Sequence, residues 1–91
     1  MTDVRNNEAE QRYELEVDGR IAIAAYRMEE GAVAFVHTAV PDELEGQGVG
    51  SRLIAGALDD VRARGLTVRP RCSFVAAYVE RHPETRDLLA R

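Results

Sequence analysis

The 91-residue sequence has little cysteine, few aromatic residues and no long apolar run. Its one cysteine excludes an internal disulfide and a zinc site made of several cysteines, and it suits a reducing compartment. No segment approaches the roughly 20 apolar residues that a membrane-spanning helix needs. The polar residues 1–11 do not resemble a secretion signal. We therefore expect a soluble, cytoplasmic protein without a membrane partner, with residues 1–11 flexible.

The charge balance disfavours nucleic acid as a partner. The sequence has 12 basic and 16 acidic residues and a net charge of -4, so it has no overall positive field to hold a polyanion. Aromatic side chains on which bases could stack are also few, namely three tyrosines and two phenylalanines. The two histidines and the cysteine lack the spacing of metal ligands, so we predict no metal site.

The first half of the chain has the two-residue period of β-strands. Alternating apolar residues predict strands over 13–17 and 21–28, and a run rich in Val, Phe and Thr predicts a third strand over 32–40. Asp18-Gly19 and residues 29–31 are turn sequences that join these strands as hairpins, and Pro41 ends the third strand. The three segments therefore predict an antiparallel meander.

The second half changes to a helical period. Apolar residues at helical spacing predict a helix of about four turns that starts near Val49 and ends before Gly65. A short strand over 66–69 follows, and Ser73 is the predicted N-cap of one or two short closing helices, interrupted near Pro83. This order predicts one α+β domain over residues 1–91, with mixed strand directions because a helix separates the third and fourth strands.

Three glycines, Gly46, Gly48 and Gly50, lie between a predicted strand and the start of the long helix. Glycine allows a ligand to approach the backbone closely, and the free amides at a helix start attract anions. The spacing is neither that of the Walker motif nor that of the dinucleotide fingerprint. We predict a phosphate-binding turn here; the alternative is a turn with a purely structural role.

This segment resembles a known family motif. The run Glu43-Leu44-Glu45-Gly46-Gln47-Gly48 is similar to the acetyl-CoA motif of the GCN5-related N-acetyltransferases, Gln/Arg-x-x-Gly-x-Gly/Ala. Residues 70–84, which include Cys72 and His82-Pro83, resemble the ending of a subgroup of short, single-domain members. The resemblance covers the chain from Tyr13 onward and implies a minimal α/β sandwich of this family.

The resemblance implies an N-acetyltransferase that uses acetyl-CoA and an unidentified amine acceptor. The residues expected to bind acetyl-CoA are Thr38, Ala39, Val40, Leu44, Glu45, Gly46, Gln47, Gly48, Val49, Gly50, Ser51 and Tyr78. Two acidic residues depart from the family pattern: Glu43 replaces the usual Gln or Arg, and Glu45 stands where a basic residue is frequent. Their charges would weaken phosphate binding unless they point away from it.

Cys72 and His37 are the candidate catalytic residues. A Cys72 thiolate would be stabilised by helix-start amides and by Arg71, whereas the alternative is a small buried residue in the core. His37 has the right chemistry for a general base, but it also fits a hydrogen-bonded histidine of a strand. Arg52 and Arg71 are either partners of the cofactor phosphates or ordinary surface residues. A CoA-binding or regulatory module without turnover is the alternative to an enzyme.

Overall fold

Five strands form a single sheet in the order β1-β2-β3-β4-β5 in a computed structural model, which describes residues 3–90. The strands are β1 (Arg5–Asn7), β2 (Arg12–Val17), β3 (Arg20–Glu29), β4 (Ala32–Ala39) and β5 (Thr67–Pro70). The α-helices are α1 (Val49–Ala63) and α2 (Ser73–Arg81), and 3-10 helices span Glu8–Glu10, Asp42–Leu44 and Pro83–Leu88. Strands β1 to β4 are antiparallel, and β5 is parallel to β4. The predicted α+β class and mixed strand directions are confirmed.

The turns that join β2, β3 and β4 follow the predicted chemistry. Asp18 and Gly19 have φ values of 52° and 77°, and Glu30 and Gly31 have 47° and 82°. Positive φ at both central residues matches the right-handed twist of the strands, which keeps two-residue hairpins in register. The predicted meander is therefore confirmed.

Helices α1 and α2 pack on the same face of the sheet. Phe35, Leu53 and Val75 come from β4, α1 and α2 respectively, and all three are fully buried in one apolar core. The Tyr13 hydroxyl on β2 donates to the Asp60 carboxylate on α1 at 2.7 Å, which fixes the helix across the sheet.

The ends of the helices lie close to the predicted positions. Gly65, at φ 71°, follows the end of α1, as expected of a glycine at a helix C-terminus. The N-cap of α2 is Cys72 and not Ser73, so that prediction was wrong by one residue. The Cys72 backbone is extended while Ser73 is already helical, which is the geometry that defines a cap. No helix within residues 3–90 has the length and apolar character needed to cross a bilayer.

Strand β1 was not predicted, because the first eleven residues show no alternation of apolar side chains. The expectation that they are flexible is wrong for Arg5–Asn7, which pair with β2; Met1 and Thr2 lie outside the described residues. Polar contacts hold the strand in place. Arg5 bonds the carboxylate of Glu14, the Asn7 amide donates to the same carboxylate at 3.0 Å, and the Tyr26 hydroxyl donates to Asn6 at 2.6 Å.

The Glu14 side chain is only 4% exposed, although it lies on the face of the sheet opposite the helices. Arg5, Arg12 and Asn7 all donate to its carboxylate. These hydrogen bonds, that of Arg5 first, lower the pKa of Glu14 from 4.5 to about 2. A buried carboxylate is tolerated here because donors surround it.

We predict that Glu14→Gln lowers the free energy of unfolding at pH 7 by about 1–3 kcal/mol, because it removes charged hydrogen bonds to a partly exposed arginine pair. The folded-state pKa is lowered, so the stabilisation is present above pH 4.5 and is lost as the pH falls towards about 2. Urea denaturation from pH 7 to pH 3 should show the gap between parent and variant narrowing. Glu16→Gln, an exposed neighbour on β2, is the control and should change little; a gap independent of pH would contradict the assignment.

Candidate functional site

A cavity of about 560 Å³ lies beside the end of β4 and the start of α1, within the size range of small-molecule sites. Its walls are His37, Thr38, Ala39, Val40, Leu44, Glu45, Gly46, Gly48, Val49, Gly50, Ser51 and Phe74. Ten of the twelve residues predicted to bind acetyl-CoA line this cavity together with His37, and the exceptions are Gln47 and Tyr78.

The cavity exists because β4 continues after β5 has ended. Pro70, the last residue of β5, pairs with Phe35, and the Cys72 amide donates to the Phe35 carbonyl at 2.8 Å. Beyond Phe35, no strand within residues 3–90 pairs with β4 on that side. The pairing of β4 with β3 also shifts by one residue at Val36, where the register passes from Tyr26–Phe35 to Ala25–His37. Such a bulge changes the direction of a strand and of the side chains after it.

The glycine turn places unbonded amides at the cavity wall. Gly48 is the N-cap of α1 with φ 72°, and the amide of Arg52 is bonded to its carbonyl at 3.0 Å. The N–H groups of residues 49–51 precede that bond and have no acceptor within the helix, so they are available to an anion together with the positive end of the helix dipole. A Cβ atom on Gly46 or Gly48 would meet nothing within 4 Å. Glycine is needed there for its backbone conformation, and the space beside it is open.

Gly50 lines the cavity and also makes a close contact that the sequence did not predict. A Cβ atom on Gly50 would lie 2.7 Å from Cζ of Phe74, so this glycine allows the phenylalanine ring to pack against α1. Phe74 is 36% exposed and forms part of the cavity wall. Phe74 falls within the predicted closing helices that start near Ser73. No feature of the sequence pairs it with Gly50, because the two residues meet only when α1 and α2 lie side by side.

Glu45 is the acidic residue of the cavity wall, and no arginine or lysine among residues 3–90 lines it. The predicted pairing of Arg52 and Arg71 with cofactor phosphates is not supported, since both lie elsewhere. Arg52 lies 3.9 Å from Asp3, Arg71 is bound to Glu29, and Glu43 is turned from the cavity towards Arg20 at 3.2 Å. An anion in this cavity would therefore be held by backbone amides.

Cys72 lies behind the cavity wall. Its side chain is 8% exposed, does not line the cavity, and its sulfur is 3.4 Å from the Thr38 hydroxyl. Burial raises the pKa of the thiol, but hydrogen bonds from Thr38 and from the backbone amides of Val75 and Phe74 outweigh this effect and lower the pKa overall. The structure therefore contains the predicted contact between the thiol and the amides at the start of α2. Arg71, the other group expected to stabilise the thiolate, is bound to Glu29 instead.

His37 is the candidate catalytic residue that reaches the cavity. It is exposed on β4, directly after the bulge at Val36. Tyr78 is not brought there: its ring stacks on His82 with 3.8 Å between the centroids, and it lines a separate cavity. Gln47 also points elsewhere, because its amide donates to the Glu43 carbonyl at 3.2 Å. Residues 3–90 contain no group of three or more His, Cys, Asp or Glu side chains arranged for a metal ion.

Comparisons with known proteins agree with this geometry. The sequence matches the family model described as GCN5-related N-acetyl-transferase over residues 12–88. The chain is similar to the solution structure of a "GCN5-like putative N-acetyltransferase" from Staphylococcus aureus, with a TM-score of 0.73 and 27% identity over 99% of this chain and 91% of that chain. No curated protein shows significant sequence similarity to it. Because the family model covers most of the sequence, the chain belongs to the GCN5-related N-acetyltransferase family.

Proposed function

We propose that this protein binds acetyl-CoA in the cavity beside β4 and α1 and transfers the acetyl group to an amine. The observation that carries the proposal is that two features meet in one cavity. They are the amides at the start of α1 and the edge of β4 that is open beyond its last pair with β5. The first suits a pyrophosphate, and the second offers backbone groups to a thioester carbonyl. Membership of an acetyltransferase family supports the same assignment.

In this proposal the amides of residues 49–51 hold the pyrophosphate, and the left-handed glycines Gly46 and Gly48 keep that side of the cavity open. The backbone of Thr38–Val40 faces the same cavity and would polarise the carbonyl oxygen of the thioester. Fixing the donor in this way supplies the positioning on which group transfer depends.

His37 is the residue we assign to proton removal from the acceptor amine. It lines the cavity, is exposed to an incoming substrate, and carries an imidazole, the side chain most often used as a general base. The amine nitrogen then attacks the thioester carbon, forming the amide bond as the carbon–sulfur bond breaks and CoA leaves. Cys72 offers a second route through an acetylated thiol, although Thr38 lies beside its sulfur and the thiol is not part of the cavity wall.

A CoA-binding module without turnover is the second candidate, and the position of Cys72 is the observation that favours it. Cys72 lies behind the cavity wall, which leaves His37 as the candidate catalytic residue among the described residues of the wall. The Glu45 carboxylate would weaken phosphate binding under either function. The test is to incubate the protein with acetyl-CoA and a panel of primary amines and to measure the acetylated amines by mass spectrometry. Acetylated products support the transferase; tight CoA binding without any product supports the binding module.

The intact mass of the protein after incubation with acetyl-CoA separates the two chemical routes. Acetyl-CoA alone leaves the protein mass unchanged if the amine attacks the thioester directly. An acetyl adduct that disappears in Cys72→Ala indicates the covalent route through the thiol.

We predict that Gly48→Val weakens CoA binding by at least about tenfold, because a side chain at this position projects into the open space beside the helix-start amides. The backbone strain of a left-handed β-branched residue should cost about 1–2 kcal/mol of stability. Isothermal titration with CoA and urea denaturation measure the two effects separately.

Gly65 is a matched control for this variant. Its φ is 71° against 72° for Gly48, a Cβ atom on it would also meet nothing within 4 Å, and it lies at the other end of α1. Gly65→Val should therefore lose similar stability while binding CoA like the parent. If valine prevents folding at either site, the Gly48→Ala and Gly65→Ala pair replaces it. Equal losses of affinity in the two variants would show that the phosphate site has been assigned to the wrong place.

We predict that Thr38→Val raises the pKa of the Cys72 thiol, since the threonine hydroxyl lies 3.4 Å from the sulfur and stabilises the thiolate. The pH at which iodoacetamide alkylation is half-maximal should lie below the ordinary thiol value of 9.0 in the parent and move upward in the variant. Thr67→Val on β5, remote from the sulfur, serves as the control. An unchanged midpoint in Thr38→Val would contradict the claim that this hydroxyl lowers the pKa of the Cys72 thiol.

A further inference from the structure

A second cavity, of about 490 Å³, is formed by α1, α2 and the 3-10 helix Pro83–Leu88. We call it the Tyr78 cavity. Its walls include the apolar side chains of Leu58 and Leu88 and the polar side chains of Asp59, Tyr78 and Glu84. It shares no residue with the cavity beside β4. The acetyl-CoA proposal gives this second cavity no role.

Tyr78 contributes an unpaired hydroxyl group to this cavity. The residue is only 6% exposed, and its ring is held against His82. Its hydroxyl forms no hydrogen bond with another residue between 3 and 90. Because every fully buried side-chain polar atom of the described residues has a partner, this unpaired oxygen is not fully buried. The hydroxyl is therefore the accessible end of an otherwise buried side chain that lines the cavity. A phenol hydroxyl can accept a hydrogen bond from a cation.

The charge around the hydroxyl is negative. Arg62 also lines the cavity, but its guanidinium donates to both carboxylate oxygens of Asp87, at 2.7 and 3.0 Å, so its charge is matched. Asp59 and Glu84 are exposed and form no ion pair with any residue between 3 and 90. Arg62 is close enough to Asp59 for their charges to interact, and it donates to the backbone carbonyl of Glu84 at 3.1 Å. The cavity wall therefore carries two carboxylates against one guanidinium. Burial first, and then the charges of Glu84 and Asp59, raise the pKa of the Tyr78 hydroxyl. The field at this hydroxyl thus disfavours an anion.

We propose that the Tyr78 cavity binds an alkylammonium group, the protonated head of a small primary amine. Asp59 and Glu84 would provide the opposing charge and the hydroxyl of Tyr78 an additional acceptor. Leu58 and Leu88 would pack against the alkyl chain. An organic cation fits better than a bare metal ion, because two of these five contacts are apolar and residues 3–90 hold no ligand cluster for a metal.

The test uses n-butylammonium as the probe, with 1-butanol and butyrate as neutral and anionic probes of similar size. Two-dimensional ¹⁵N–¹H spectra of the full chain should show saturable shifts at Leu58, Asp59 and Thr85 with butylammonium alone. The double variant Asp59→Asn, Glu84→Gln should bind at least about tenfold more weakly, and Tyr78→Phe, which keeps the ring, should bind severalfold more weakly.

A charge-matched control separates a local site from general attraction. Glu10→Gln with Glu80→Gln removes two exposed carboxylates outside the cavity and should leave the affinity for butylammonium unchanged. Equal shifts with butanol, or equal affinity in the cavity variants and the parent, would overturn the proposal. The readout needs neither acetyl-CoA nor turnover, so its outcome is independent of the proposed acetyl transfer.

Discussion

The point at which β5 ends opposite Phe35 determines the rest of the site. Up to this residue the two parallel strands are paired. Beyond it β4 pairs with β3 on its other side, with a bulge at Val36 and His37 directly after it. The Cys72 amide, bound to the Phe35 carbonyl, turns the chain into α2 at the same place. Both α1 and α2 therefore begin beside the open end of β4. The cavity arises from this separation, and its walls come from elements far apart in sequence.

In the proposed function, backbone groups of the cavity would hold the phosphates, where many anion sites use side-chain charge. Arg52 lies near the carboxylate of Asp3, and Arg71 is bound to that of Glu29, so neither arginine lines the cavity. Glu45 adds a negative charge to the cavity wall. The amides at the start of α1 are neutral groups with a fixed orientation, so they attract phosphate without adding to the net charge. This arrangement explains how a chain of net charge -4 can offer an anion site.

Turn residues and apolar periodicity, which are local signals, predicted most strands and helices. Features that depend on contacts between distant parts of the chain were not predicted. Asp18-Gly19 predicted its hairpin because only certain residues accept positive φ at both positions, and the apolar stripe of α1 predicted its buried face. Strand β1 was not predicted, because its main contact is polar: Arg5 bonds Glu14, nine residues further along the chain. Tyr78 was expected to contact acetyl-CoA but lines a separate cavity, because the sequence does not tell which of two cavities a side chain of α2 faces.

In the proposed function, the amides of residues 49–51 at the start of α1 hold the phosphates of CoA. The chemical shifts of these amides during a titration with CoA test this directly. Titration of ¹⁵N-labelled protein with CoA should produce its largest amide shifts at Val49, Gly50 and Ser51, whose N–H groups have no acceptor within the helix. Smaller shifts are expected at Thr38 and Ala39 on the facing strand. Largest shifts in β1 and β2, with the amides of residues 49–51 unmoved at saturation, would contradict the account.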